Sequence, residues 1–322
     1  MRLSQPSAGA SGDRDSSVMN RVFVTGASGF VGSAVVRELV SQGREVAVLL
    51  RASSAPQRLA GCADKLRVVR ADLRGLEAVA GEIADFKPDA VLHLGWEGVK
   101  GAERNSPMQA ANIESSMALF RIAGDLGCKA FVGMGSQAEY GPAPGKLDES
   151  APTRPTTVYG AAKLSTCLML DRLGAANGQP FAWLRLFSSY GPGDDPSWLL
   201  QYLARMLLSG QRPALTAAQQ MWDYIHVDDV AGAVIAAMDA RAHGVFNLGS
   251  GQAHRLEDII TTLRDLIDPG LPLGFGEVPY RPDQVMHLEA DIARLTAATG
   301  WRPQVSLEVG LRQVIDWLRE HA

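Results

Sequence analysis

Apolar residues along the chain follow two alternating rhythms: short continuous runs, and longer stretches in which they recur every three or four positions. The runs Arg21–Val24, Glu45–Leu50, Leu66–Arg70, Ala90–Leu94, Ala130–Met134 and Val245–Leu248 predict strands. Between the first two, Val31, Ala34, Val35 and Leu39 share one face of a helix. Further helices are predicted from about Met108 to Leu126 and from about Val158 to Leu173. Trp198, Leu199, Tyr202, Leu203 and Met206 form a stripe of packing residues, and Val230, Val234, Ile235 and Met238 form another that returns to the sheet. A last amphipathic helix carries Leu311, Val314, Ile315 and Leu318, with Ser306 as its cap. Strands alternating with helices predict an α/β fold built on a doubly wound parallel sheet. His93, inside the fourth run, reads as a structural residue of that sheet.

Before the first run, residues 1–19 are rich in Ser, Gly, Ala, Asp and Arg and lack periodicity, which predicts a disordered tail. Met19, just before the first strand, is the expected translation start. The chain as a whole is 46% apolar and 20% charged, ample for a large core. A net charge of −4 from 31 basic and 35 acidic residues creates no single-sign field, which argues against bulk binding of nucleic acid or a membrane surface. Cys62, Cys128 and Cys167 stand far apart, so neither a disulfide framework nor a metal site is expected, and a reducing cytoplasm is the natural home. No apolar run approaches the roughly 20 residues of a membrane span.

The first strand breaks into Gly26-Ala27-Ser28-Gly29-Phe30-Val31-Gly32 and opens a helix. A helix N-terminus with its unpaired N–H groups attracts anions, and glycines let a pyrophosphate approach the backbone. The spacing G-x-x-G-x-x-G between strand and helix predicts dinucleotide binding. About 20 residues beyond the glycines an acid would meet the ribose 2′-hydroxyl of NAD, whereas a cation suits the 2′-phosphate of NADP. Arg51 stands there with Ser53 and Ser54, so NADP(H) is favoured and NAD(H) is the alternative. Asp72-Leu73, after the third strand, are expected at the adenine edge.

Tyr159 and Lys163 lie four apart on one helix face. An ammonium beside a phenol stabilises the phenolate and eases proton exchange near neutral pH. Ser136, at the end of the fifth strand, falls at the same sheet edge, where its hydroxyl could bond a carbonyl or alcohol.

With these motifs in order, the chain resembles the extended short-chain dehydrogenase/reductases, in their nucleotide-sugar epimerase/dehydratase branch. The resemblance runs from about Arg21 to Trp317. It takes in the glycine turn, Asp72-Leu73, Asn112, Ser136 to Gly141, Tyr159/Lys163, Arg185 to Pro192, Asp223 to Asp229, Phe246 to Gly251 and Gly300 to Pro303. It implies a Rossmann sheet with a smaller, discontinuous C-terminal substrate domain. The dinucleotide-binding domain would span 20–190 and 221–255, and the substrate-binding domain 191–220 and 256–322. It further implies that Tyr159 is the acid/base, that Lys163 bonds the nicotinamide ribose and that Ser136 orients the reacting oxygen. Ser28, Phe30, Val31, Leu94, Gly95 and Asn112 complete the implied cofactor set. Trp96, Gln137, Ser188, Trp222 and Arg281 form the implied substrate set. A homodimer through the helices near 108–126 and 158–173 is implied as well.

Departures from the family pattern narrow the reaction. Where 4,6-dehydratases carry an Asp-Glu pair this chain has Gln137 and Ala138, which disfavours dehydration. Trp222 stands for the usual Arg and Ser188 for the usual Asn; the usual acidic partner of Arg281 is replaced by Gln284, with Asp283 one place early. The runs around Arg51, Gly95-Trp96, Gly135 to Tyr140 and Tyr280 to Asp283 look most like 4-ketoreductases that finish deoxysugar nucleotides. The expected activity is therefore NADPH-dependent reduction at C4 of a nucleotide-linked 4-keto-6-deoxyhexose. A nucleotide-sugar 4-epimerase is the alternative within the family, and a non-catalytic dinucleotide sensor the alternative outside it.

Overall fold

A computed structural model describes residues 19–54, 57–282 and 284–321. The tail expected over residues 1–18 and the displaced acid at 283 lie outside the described residues. Met19 belongs to the ordered fold, one residue earlier than expected: its side chain is fully buried in the apolar layer beside the first strand, and its carbonyl accepts from Arg44 Nη1 at 2.9 Å.

The strands are β1 (Arg21–Thr25), β2 (Glu45–Leu50), β3 (Leu66–Arg70), β4 (Ala90–His93), β5 (Ala130–Ser136), β6 (Lys146–Leu147) and β7 (Ala182–Leu186). After them come β8 (Ser188–Tyr190), β9 (Met221–Trp222), β10 (Tyr224–His226), β11 (Gly244–Leu248), β12 (His254–Arg255) and β13 (His287–Ala290). The α-helices are α1 (Phe30–Ser41), α2 (Ala80–Phe86), α3 (Gln109–Asp125), α4 (Val158–Asn177) and α5 (Leu199–Leu208), then α6 (Val227–Asp239), α7 (Leu256–Ile267), α8 (Ala293–Thr299) and α9 (Leu307–Glu320).

Seven strands form one parallel sheet in the order β11-β7-β5-β4-β1-β2-β3. Continuous apolar runs such as Val46 to Leu50 suit it because helices cover both faces. One layer packs α1 and α6 onto the sheet through Val35, Leu39, Val230 and Val234; the other packs α2, α3 and α4 through Ile83, Leu119 and Leu170. Each such side chain contributes about 1.5–3 kcal/mol on burial. The chain runs outward from β1 in both directions, to β2 and β3 on one side and to β4, β5 and β7 on the other. The crevice at such a switch point, beyond the C-terminal strand ends, is where doubly wound sheets take ligands.

A third apolar core joins α5, α7 and α9 through Leu203, Leu207, Ile260, Leu263, Leu311 and Val314. The buried stripe of α5 is Leu200, Leu203, Ala204 and Leu207 with Gln201, while Trp198 and Tyr202 are exposed. The predicted stripe was rotated off the true face. The run is apolar in two overlapping registers, and Gln201 is buried because it reaches the Gly191 carbonyl at 3.0 Å. A small mixed sheet, β12-β9-β13-β6, lies beside this core, and α8 returns to the large sheet through Leu295.

Candidate active site

Gly26 follows β1 at φ +73°, a left-handed conformation that glycine adopts without penalty. A Cβ there would stand 2.5 Å from the Gly95 nitrogen, and one at Gly32 would stand 2.1 Å from the Gly26 carbonyl oxygen. The turns after β1 and β4 thus touch backbone to backbone at the switch point. Gly29 caps α1 without any side-chain hydrogen bond, so the N–H groups of the first turn stay available to an anion. Ser28 and Val31 are half-buried, and Phe30 packs partly buried against the core below. A cradle that side chains would fill, at an uncapped helix N-terminus, fits the pyrophosphate of a dinucleotide.

At the far end of the crevice Arg51 is exposed and pairs with Glu97 at 3.5 Å. Glu97 also lies 3.8 Å from Arg74, and Arg70 Nη1 donates to the Arg51 carbonyl at 3.2 Å. Asp72 caps the short helix after β3: its Oδ1 accepts from the Arg74 backbone at 3.0 Å and from Arg74 Nε at 3.2 Å. The Arg74 backbone N–H and guanidinium hold the Asp72 carboxyl below the usual carboxylate range. Leu73 packs toward Gly95. Arg70, Arg74 and Glu97 were missed in the sequence because they join this end only when β3 and the turn after β4 come side by side.

Ser136 ends β5, and Tyr159 and Lys163 stand on the first two turns of α4, where Thr157 Oγ1 accepts from the Gly160 N–H at 3.1 Å. All three are buried. Burial pushes the Tyr159 phenol upward, opposed first by the neighbouring Ser136 hydroxyl and then by the charge of Arg104. Lys163 Nζ donates to the Met134 carbonyl at 2.6 Å and sits 3.7 Å from the centroid of the Trp96 ring. Burial lowers its ammonium to about 7, against the pull of Glu139. The sequence places these residues together, and the structure does the same.

Glu139 was not singled out as functional. Its Oε1 accepts from the Ser136 N–H and from the Trp183 indole, both at 2.9 Å, and its Oε2 from Arg185 Nε at 2.7 Å. Ser136 Oγ in turn accepts from the Ala138 N–H at 3.2 Å. Ser-x-x-Glu is a capping-box spacing, the signal that could have found it.

The turn after β4 is pinned from α3. Asn112 accepts from the Glu97 N–H at 2.9 Å and donates to the Glu97 carbonyl at 3.0 Å and to Gln109 Oε1 at 3.3 Å. These bonds tie its side chain to the turn after β4, where the resemblance implied a place in the cofactor set. Trp96 donates from its indole to Gln109 Oε1 at 2.8 Å and meets the Tyr159 ring edge to face, centroids 6.2 Å apart. His93, buried as expected, bridges Thr25 Oγ1 and Ser116 Oγ, each at 2.8 Å. Its burial and the charge of Lys163 hold it down to about 3, so it stays neutral.

Of the implied substrate set, Trp222 Nε1 donates to Ser188 Oγ at 2.9 Å, so the two departures from the family pattern are partners. Register places Ser188 two residues past Leu186, which faces Ser136 across β5 and β7. Gln137 is half-buried directly after Ser136. Arg281 lies on the exposed loop between α7 and β13, one residue past Tyr280, whose hydroxyl accepts from the Gln219 N–H at 2.9 Å.

Residues 22–249 match the model of the NAD dependent epimerase/dehydratase family. The chain belongs to that family. It is an enzyme of this NAD-dependent epimerase/dehydratase type, as its motifs implied. The UDP-glucose 4-epimerase of Azospirillum brasilense is 30% identical over 93% of this chain and 92% of its own length. The dTDP-glucose 4,6-dehydratase of Streptomyces griseus is 28% identical over 93% and 94%. Among solved structures, the Thermus thermophilus UDP-glucose 4-epimerase in complex with NAD superposes with a TM-score of 0.81 at 28% identity, over 94% of this chain and all of that one. Among the described residues no helix is long and apolar enough to cross a membrane, and no group of His, Cys, Asp and Glu could hold a metal ion.

Proposed function

We propose that this family member is a reductase that converts the C4 ketone of a nucleotide-linked 4-keto-6-deoxyhexose to an alcohol, with NADPH as its cofactor. Trp96 carries the choice of reduction. Its indole borders the Tyr159 ring and covers Lys163, which favours presentation of one face of a ketone to the acid/base residue. Gln137 and Ala138, in place of an acid pair, leave elimination of water without its proton carriers.

The glycine turn and the N-terminus of α1 would hold the pyrophosphate, and the Arg51, Arg70 and Arg74 group favours a 2′-phosphate at the adenosine end. The nicotinamide, when bound, supplies the hydride. Ser136 orients the ketone oxygen by a hydrogen bond, and Tyr159 gives that oxygen its proton. Lys163, one helical turn along, stabilises the phenolate left behind. A sugar nucleotide would lie between this edge and the layer of α5, α7 and α9, beside Ser188, Trp222 and Arg281. A homodimer through α3 and α4 belongs to the same reading. It is supported by Leu168 and Met169, which leave 57% and 39% of their surface exposed on α4.

A second reading, a nucleotide-sugar 4-epimerase, is favoured by the relatives named above. Mixing the protein with a panel of nucleotide-linked 4-keto-6-deoxyhexoses and following NADPH and NADH absorbance separates the two. Reduction consumes one NADPH per alcohol formed. Interconversion of C4 epimers with no net change in absorbance would replace the first reading with the second.

A further inference from the structure

Arg104 has no part in the glycine turn or in the Ser136, Tyr159 and Lys163 cluster, yet it lies against the central residue of that cluster. It belongs to a short 3-10 helix, Gly101–Asn105, and its guanidinium carbon stands 4.4 Å from the centroid of the Tyr159 ring. Neighbouring contacts fix this placement. Asn105 Oδ1 accepts from the Val158 N–H at 3.1 Å, which docks the segment on the open start of α4 one residue before Tyr159. Gln109 Nε2 donates to the carbonyls of Gly98 at 2.7 Å and Glu103 at 3.1 Å, and Arg104 Nη1 donates to the Val99 carbonyl at 3.3 Å.

Four ionisable or polar groups therefore face the phenol from the elements around it. The Ser136 hydroxyl neighbours it from the end of β5, and the Lys163 ammonium lies 5.9 Å from the ring centroid along α4. Glu139 opposes ionisation from the short helix after β5, though its carboxylate is already paired with Arg185. Arg104 covers the ring from the loop after β4.

We infer that Arg104 positions and polarises Tyr159, its permanent charge over the ring favouring the phenolate and so supporting proton exchange by that residue. When the Tyr159 O–H bond breaks and the proton forms a bond to the substrate oxygen, the charge left on the phenolate faces a guanidinium. The two cations beside the phenol differ in kind. Lys163 is wholly buried and can lose its proton near neutrality, whereas a guanidinium keeps its charge at every working pH. A cation over an aromatic face is also held by the ring itself.

This inference rests on Tyr159 being the acid/base residue, but its test needs no turnover. Site-specific Tyr159→3,5-difluorotyrosine gives a phenol that ionises nearer neutrality and a single fluorine NMR signal whose midpoint can be followed with pH. In an Arg104→Gln background that midpoint should rise by at least about half a pH unit, and Arg104→Lys should restore most of the difference. Should Arg104→Gln fail to fold, Arg104→Met, which keeps the aliphatic stem, is read in the same way. An unchanged midpoint in the folded variants overturns the inference. A shifted midpoint in a protein that reduces no nucleotide-linked ketone would sink the functional reading and leave this one standing.

Discussion

Glu139 and Arg185 form a buried ion pair, Oε2 to Nε at 2.7 Å, directly behind the strand end that carries Ser136. The same carboxylate accepts the Ser136 N–H, so the pair fixes the backbone from which the hydroxyl projects. Removing one member of such a pair leaves a charge buried alone. Arg185→Leu should therefore cost about 3–5 kcal/mol, read as a lowered denaturant midpoint. A variant as stable as the parent would show that Glu139 is held by its other donors.

The contact between the turns after β1 and β4 leads to a sharper expectation for binding. Gly26→Ala places a Cβ 2.5 Å from the Gly95 nitrogen in a left-handed backbone conformation that costs about 1–2 kcal/mol by itself. Both turns must then move apart, and both border the cradle. NADPH and NADH affinity, followed by nicotinamide fluorescence, should fall at least about tenfold, the equivalent of 1.4 kcal/mol. Gly43→Ala, where a Cβ meets nothing within 4 Å, is the control for backbone strain alone, with φ +76°.

Two buried groups give stability opposite slopes with pH. Asp194 is raised by burial to about 7 from an unfolded value near 3.8, so the folded state holds an extra proton between these values. Its contribution is present at low pH and is lost as pH rises toward 7. Asp194→Asn should raise the Tm at pH 8 and change it little at pH 4. Lys163, lowered by burial to about 7 from 10.5, works the other way: the unfolded chain binds more protons from pH 7 to 10.5, and stability rises through that window. Lys163→Met should stabilise most below pH 7, and the gain should vanish by about pH 10, at roughly 1.4 kcal/mol per unit of pKa shift.

The exposed apolar side chains of α4 give the proposed dimer a direct check. Leu168→Arg should convert the assembly to monomer in light scattering while leaving the thermal transition of the fold in place. A wild-type protein that is already monomeric would remove that proposal.

Much of the candidate site was legible because its signals are local. The three glycines, the four-residue step from Tyr159 to Lys163 and the strand run ending at Ser136 each lie within one element and its boundary. The groups that were not read come from separate elements that only the sheet order joins. Arg70 and Arg74 approach Arg51 because β3 pairs with β2, and Arg104 reaches Tyr159 because the turn after β4 docks on α4. The face of α5 was misread because Leu199, Leu200, Leu203, Met206, Leu207 and Leu208 offer apolar stripes in more than one register, and only packing against α7 and α9 selects one. The contacts of Asn112 with the turn after β4 were likewise not read, because they join α3 to a loop 15 residues away in the chain.

The direct test of the central claim compares wild type with Tyr159→Phe, at saturating NADPH, on the nucleotide-linked 4-keto-6-deoxyhexose that the proposed function requires wild type to reduce. Loss of the phenolic proton donor should lower kcat by about 10²–10⁴-fold while KM and cofactor affinity stay close to wild type. A Tyr159→Phe enzyme that turns over at the wild-type rate would contradict it.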